Sequence, residues 1–166
     1  MNCQLTASLK SLRRSILVIG YGNSLHGTTT IGQQIAYEIE SWNMPNVEAI
    51  AVPRLTPDLT DKLSIVDAAI FIGVYPASLD QAVLIRSLQP SDTEPKTNHW
   101  FNPSTLLRMT QTRYGNCPQA WKVMVPGAPF EKRDRLSSTT NQTIETALDQ
   151  IDSLFQSIRK NSMSDS

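Results

Sequence analysis

The residues of this chain that could do chemistry gather around one glycine-rich stretch. Gly20-Tyr21-Gly22-Asn23-Ser24-Leu25-His26-Gly27 carries three glycines, an amide, a hydroxyl and an imidazole. Glycines permit tight turns and close backbone approach. Thr28-Thr29-Thr30 follows, with a hydroxyl available to cap a helix. From Gly22 to Thr29 the spacing is that of the phosphate loop G-x-x-x-x-G-K-[ST], but Thr28 stands where the lysine would meet phosphate. Backbone N–H groups at a helix start can still hold an anion, weakly in the absence of that charge. Gly20-x-Gly22 is only a fragment of a dinucleotide fingerprint, and a tight strand-to-helix turn explains both spacings. Nucleophilic chemistry has less to draw on. The only histidines are His26 and His99, and neither G-x-S-x-G nor H-E-x-x-H occurs. Cys117, just before Pro118, reads as a packed thiol rather than a nucleophile. Trp100-Phe101 beside His99 has two readings: aromatic anchors for a partner, or side chains that pin their loop to the core. Lys132, Arg133 and Arg135, interleaved with Asp134, read as a solvated loop, or as a contact for an acidic partner.

These residues need elements to position them. Residues 15–20 form a short apolar, β-branched run, which predicts a buried strand ahead of the glycines. Behind the threonines, Ile31, Ile35 and Ile39 recur at helical spacing, with Gly32 among them, down to Trp42. A turn around Pro45 leads into a strand over residues 47–52, stopped by Pro53. Leu59, Leu63 and Val66 behind Pro57-Asp58 predict a short helix. Residues 68–74 predict a second buried strand and residues 82–85 a further one. Residues 90–103 form the longest polar interval, a loop of the kind that carries function on a scaffold. Asn102 or Ser104 can cap a helix carrying Leu106, Leu107 and Met109, closed at Gly115. Residues 121–125 predict the last strand and residues 126–140 an irregular connection. Ile144, Leu148, Ile151, Phe155 and Ile158 mark a long amphipathic final helix. The fold class is therefore α/β: a three-layer sandwich around a twisted, mainly parallel sheet of about five strands. The division is 1–14 as an N-terminal extension, 15–160 as a single domain and 161–166 as a disordered tail.

With 166 residues, 40% of them hydrophobic, the chain is long enough for one well-cored domain. Fifteen basic and fifteen acidic residues give zero formal charge, so no overall basic footprint points to nucleic acid or an anionic membrane. Cys3 and Cys117 make neither a disulfide framework nor a zinc pattern. No apolar run is long enough to span a bilayer, and the basic residues Lys10, Arg13 and Arg14 precede a strand-length run rather than a signal peptide's apolar core. The expectation is a cytoplasmic protein.

The glycine-rich stretch also resembles the N-terminal motif of the hydrogenase maturation proteases, G-x-G-N-x-L-x-x-D-[DE]-x-x-G, with Gly20, Gly22, Asn23, Leu25 and Gly32 in register. Asn98-His99-Trp100 with the Leu106-Leu107 helix resembles that family's histidine loop, and Leu136-Ser137 its leucine–serine segment. The resemblance implies the family's fold and its activity, removal of the C-terminal peptide from the large subunit of a nickel–iron hydrogenase. It implies a metal held by three residues, the nickel being carried by the substrate. By register these are the second acid of the first loop, an aspartate ending the strand placed at residues 70–73, and a histidine. Here they fall on Thr29, Gly73 and His99. A threonine hydroxyl is a poor ligand for a divalent transition metal, glycine offers none, and one imidazole does not make a site. His26 and Asp80 are neighbours that would have to substitute. His99 then reads as a surface-loop histidine or as part of a partner contact.

Two functions follow as expectations. In the first, the chain lacks the metal-dependent endopeptidase activity, needs no cofactor and binds a protein partner in metalloenzyme maturation or assembly. Asn23, Trp100 and Phe101 are then the contact residues, with no nucleic acid and no membrane span involved. In the second, it remains an endopeptidase of a hydrogenase large subunit.

Overall fold

The computed structural model describes residues 14–22, 30–76, 82–91, 102–127 and 138–164. Within them the elements run β1 (Ile16–Tyr21), α1 (Ile31–Ser41), β2 (Val47–Val52), α2 (Leu59–Leu63), β3 (Ala68–Pro76), β4 (Leu84–Leu88), α3 (Pro103–Tyr114), β5 (Gln119–Gly127) and α4 (Ser138–Ser164). The five strands form one sheet in the order β2-β1-β3-β5-β4. The first four in that order are parallel; β4 runs antiparallel to β5. Parallel neighbours need crossovers, which the helices supply.

The apolar runs of β1 and β3 are continuous because both faces are buried. Ile16, Val18, Ile70 and Ile72 point to one side, where Ile35, Ala36 and Ile39 of α1 and Ala147, Ile151, Phe155 and Ile158 of α4 close a core. Leu17, Ile19, Ala69 and Phe71 point to the other and meet Leu55, Leu59 and Leu63 around α2 and Leu106 and Leu107 of α3. The result is three layers, as the sequence predicts.

Several boundaries differ from the sequence reading. The strand expected at residues 82–85 is Leu84–Leu88. It lies at the sheet's edge, so Arg86 and Ser87 face solvent and Leu84 is 41% exposed. An edge strand needs no apolar continuity, and the most apolar four residues were a poor guide to it. β5 begins two residues earlier than expected and runs on through Pro126 to Gly127, alongside the long β3. Helix α4 continues to Ser164, through part of the stretch read as a tail. The start of α2 carries no side-chain cap from Asp58; instead Thr60 Oγ1 donates to the Pro57 carbonyl at 2.7 Å. The caps of α3 follow expectation: Asn102 Oδ1 accepts from the Thr105 N–H at 2.8 Å, Pro103 opens the helix, and Gly115 ends it at φ 81°.

A polar clasp holds the N-terminal ends of the strands. Asp67 Oδ2 accepts from the Ser15 N–H at 3.0 Å and from its hydroxyl at 3.2 Å. The Asp67 N–H donates back to Ser15 Oγ at 3.1 Å, and the Gln119 N–H donates to the Asp67 carbonyl at 3.2 Å. Three strands are tied there at their starts, by the residues just before β1 and β3 and the first residue of β5.

Candidate functional site

The opposite end of the sheet is where β1, β3 and β5 stop and α1 starts, the place where open α/β sheets gather ligands. Its geometry begins with two glycines. A Cβ on Gly20 would lie 2.2 Å from the Gly32 carbonyl oxygen, and one on Gly32 would lie 2.8 Å from the Ile72 carbonyl oxygen. Both neighbours are backbone, so the first turn of α1 can rest on β1 and β3 only because neither residue has a side chain. Gly22 sits at φ 154°, with the Thr30 side chain 3.0 Å from where its Cβ would be.

Thr30 starts the helix. Its Oγ1 accepts from the Gln33 N–H at 3.3 Å, while Gln33 Oε1 accepts from the Thr30 N–H at 3.0 Å, a reciprocal capping box. Gln33 Nε2 donates to the Val52 carbonyl at 2.9 Å, and the Gly22 N–H donates to the same oxygen at 3.3 Å. The chain's own side chains thus occupy N–H groups that a bound anion would use.

Gly73 ends the buried part of β3. A Cβ there would lie 2.7 Å from Tyr21 Oη, 2.9 Å from Tyr21 Cζ and 3.2 Å from Met124 Sδ. The tyrosine ring packs on the core beside α2 and α3, and burial pushes its hydroxyl up to about 12. It is a neutral phenol at any ordinary pH. Further along β3, the Tyr75 hydroxyl donates to the Ala82 carbonyl at 2.6 Å, fixing the approach to β4.

Of the residues the sequence singled out, Thr30, Gly32 and Gly73 converge on this end of the sheet. Asn23, His26, Thr29, Asp80, His99, Trp100 and Phe101 lie outside the described residues, as do Cys3, Leu136 and Ser137. Among the described residues no three His, Cys, Asp or Glu side chains come close enough to hold a metal ion. Position 73 does not fit a metal either, because its space contains a phenol and a thioether rather than a carboxylate. Cys117 packs against the core beside α3, and burial raises its thiol pKa, the opposite of an activated nucleophile. Tyr21 is the residue that sequence reasoning missed. It holds the unspecified position of G-x-G-N, and the signal available was a bulky aromatic set between two glycines.

No family model matches the sequence, and no curated protein matches it. Solved structures do. The hydrogenase maturating endopeptidase HybD from E. coli superposes with a TM-score of 0.63 at 21% identity, over 86% of this chain and 93% of that one. The fold is that of the hydrogenase maturation endopeptidases. The [NiFe] hydrogenase maturation protease HycI from Thermococcus kodakarensis KOD1 likewise gives a TM-score of 0.63, at 14% identity, over 92% of this chain and 99% of that one. A hydrogenase 2 maturation peptidase from a Thaumarchaeota archaeon gives 0.54 at 18% identity, over 83% and 96%. The likeness to this maturation endopeptidase fold spans most of the chain, from 83% to 92% of it in these three comparisons. Among the described residues no helix is long and apolar enough to cross a membrane.

Proposed function

We propose that this chain is a hydrogenase maturation protease-like protein that binds a protein partner without metal-dependent cleavage. The observation that carries the reading is at Gly73. The position that the resemblance equates with a metal-binding aspartate has no side chain, and Tyr21 stands in its space. The second lost carboxylate, at Thr29, points the same way. The partner is a metalloenzyme subunit or assembly intermediate, with a hydrogenase large subunit the first candidate given the fold. Asn23, Trp100 and Phe101 supply the contact, with His99 at its polar edge. The protein works in the cytoplasm, with no cofactor of its own.

Affinity capture from the source cell, with the captured protein's C-terminus read by mass spectrometry in wild-type and deletion strains, tests this. Capture of a metalloenzyme subunit whose C-terminus is the same in both strains is the expected result. Loss of C-terminal processing in the deletion strain establishes instead the alternative, an active endopeptidase, which the fold likeness to named endopeptidases favours. Truncating a buried aromatic anchor typically costs on the order of 2 kcal/mol, about thirtyfold in affinity, so Trp100→Ala should weaken capture by that factor with an unchanged melting temperature.

A further inference from the structure

We infer that Tyr21 and Gly73 are a matched pair in which the tyrosine has taken the space of the position-73 side chain, so that position 73 can carry no metal-binding side chain while the ring stays. Tyr21 ends β1 and Gly73 lies within the adjacent parallel strand β3, Gly20 pairing with Ile72 one step earlier. Both lie on the face toward α2 and α3, where Leu17, Ile19 and Phe71 also point. The phenol oxygen and Cζ lie 2.7 and 2.9 Å from a Cβ built on Gly73, closer than real Cβ contacts come. Met124 Sδ, 3.2 Å from the same point, closes the space from β5, the strand on the other side. The thioether can shift cheaply, since methionine has three flexible torsions. The ring gives way less readily: tyrosine has two, and its partly buried side chain packs against the core. A side chain at 73 therefore requires Tyr21 to leave. The pair goes beyond a missing ligand, because returning a carboxylate to position 73 would not return a metal site while the ring stays. The inference rests on the proposed reading for its functional meaning, yet its geometry is tested separately from partner capture.

The test is a double-mutant cycle on the full chain, read by thermal melting. Gly73→Ala should lower the melting temperature by about 5 °C with Tyr21 in place. In a Tyr21→Val background the same substitution should cost nothing further. Equal costs in the two backgrounds would overturn the pairing. A second arm uses calorimetry with nickel or zinc ions alone. Gly73→Asp with Tyr21 retained should take up neither ion stoichiometrically; one-to-one binding by that single variant would overturn the inference. If Gly73→Asp fails to fold while Tyr21→Val/Gly73→Asp folds, the pairing is supported by that difference itself. The outcome of capture experiments on the unmodified chain bears on the proposed function and leaves this cycle untouched.

Discussion

The Tyr21 hydroxyl gives the protein an alkaline signature. Its pKa rises from the usual 10 to about 12 on folding, because burial penalises the phenolate. Below pH 10 folded and unfolded chains both hold the proton, and the stability that the neutral phenol contributes is fully present. Between about 10 and 12 only the unfolded chain loses it, so stability falls with rising pH. The expected loss is on the order of 2 kcal/mol across that window. Urea melts of wild type and Tyr21→Phe, compared from pH 9 to 12, isolate it: the phenylalanine variant should fall less steeply, and parallel curves would show an unperturbed phenol. Cys117 offers a simpler check. A thiol with its pKa raised by burial is mostly protonated at neutral pH and should react with iodoacetamide more slowly than a free thiol such as glutathione.

The junction of β1 with α1 has consequences for how one element meets another. Gly20→Ala would drive a methyl to 2.2 Å from the Gly32 carbonyl oxygen, a backbone atom that cannot swing away. Its cost should reach about 3 kcal/mol or more in denaturant melts. Thr30→Ala removes one half of the capping box and should cost about 1 kcal/mol. Gly20 and Gly32 are thus explained by packing alone, without any ligand. Here the sequence was readable in unequal parts. The threonine cap, the isoleucine spacing of α1, and the Asn102 and Gly115 caps of α3 are local signals, and each lies within a few residues of the structure it specifies. Strand β4 was misplaced because its pairing partner, not its own composition, decides where an edge strand lies. The Tyr21–Gly73 contact joins residues 52 positions apart by a register that neither residue encodes. The loops carrying Asn23, His99, Trp100 and Phe101 are outside the described residues, so that part of the candidate site rests on the sequence.

Across the whole molecule, stability is distributed unevenly. β1 and β3 lie inside the sheet and are sealed on both faces, with Ile16 to Ile19 and Ala68 to Ile72 at most 1% exposed, whereas β4 pairs with β5 at the rim. Amide hydrogen exchange should be slowest in β1 and β3, by global unfolding, and orders of magnitude faster in β4, by local opening. Uniform protection across all five strands would contradict this. The molecule should also be indifferent to nucleotides. The α1 start satisfies N–H groups with its own Thr30 and Gln33, and no lysine stands at position 28. Millimolar ATP, GTP or NAD should leave the melting temperature unchanged; a saturable rise abolished by Gly27→Val would restore the phosphate-loop reading.

The clasp of Ser15, Asp67 and Gln119 sits at the far end of the sheet from the candidate site. It fastens three strands where their chains enter, so a change at their exits leaves that fastening in place. The cost of a change at Gly73 is set by its neighbour Tyr21 and not by the entrances. A lineage built on such a scaffold can therefore exchange groups at the exits in matched pairs while the strands keep their register.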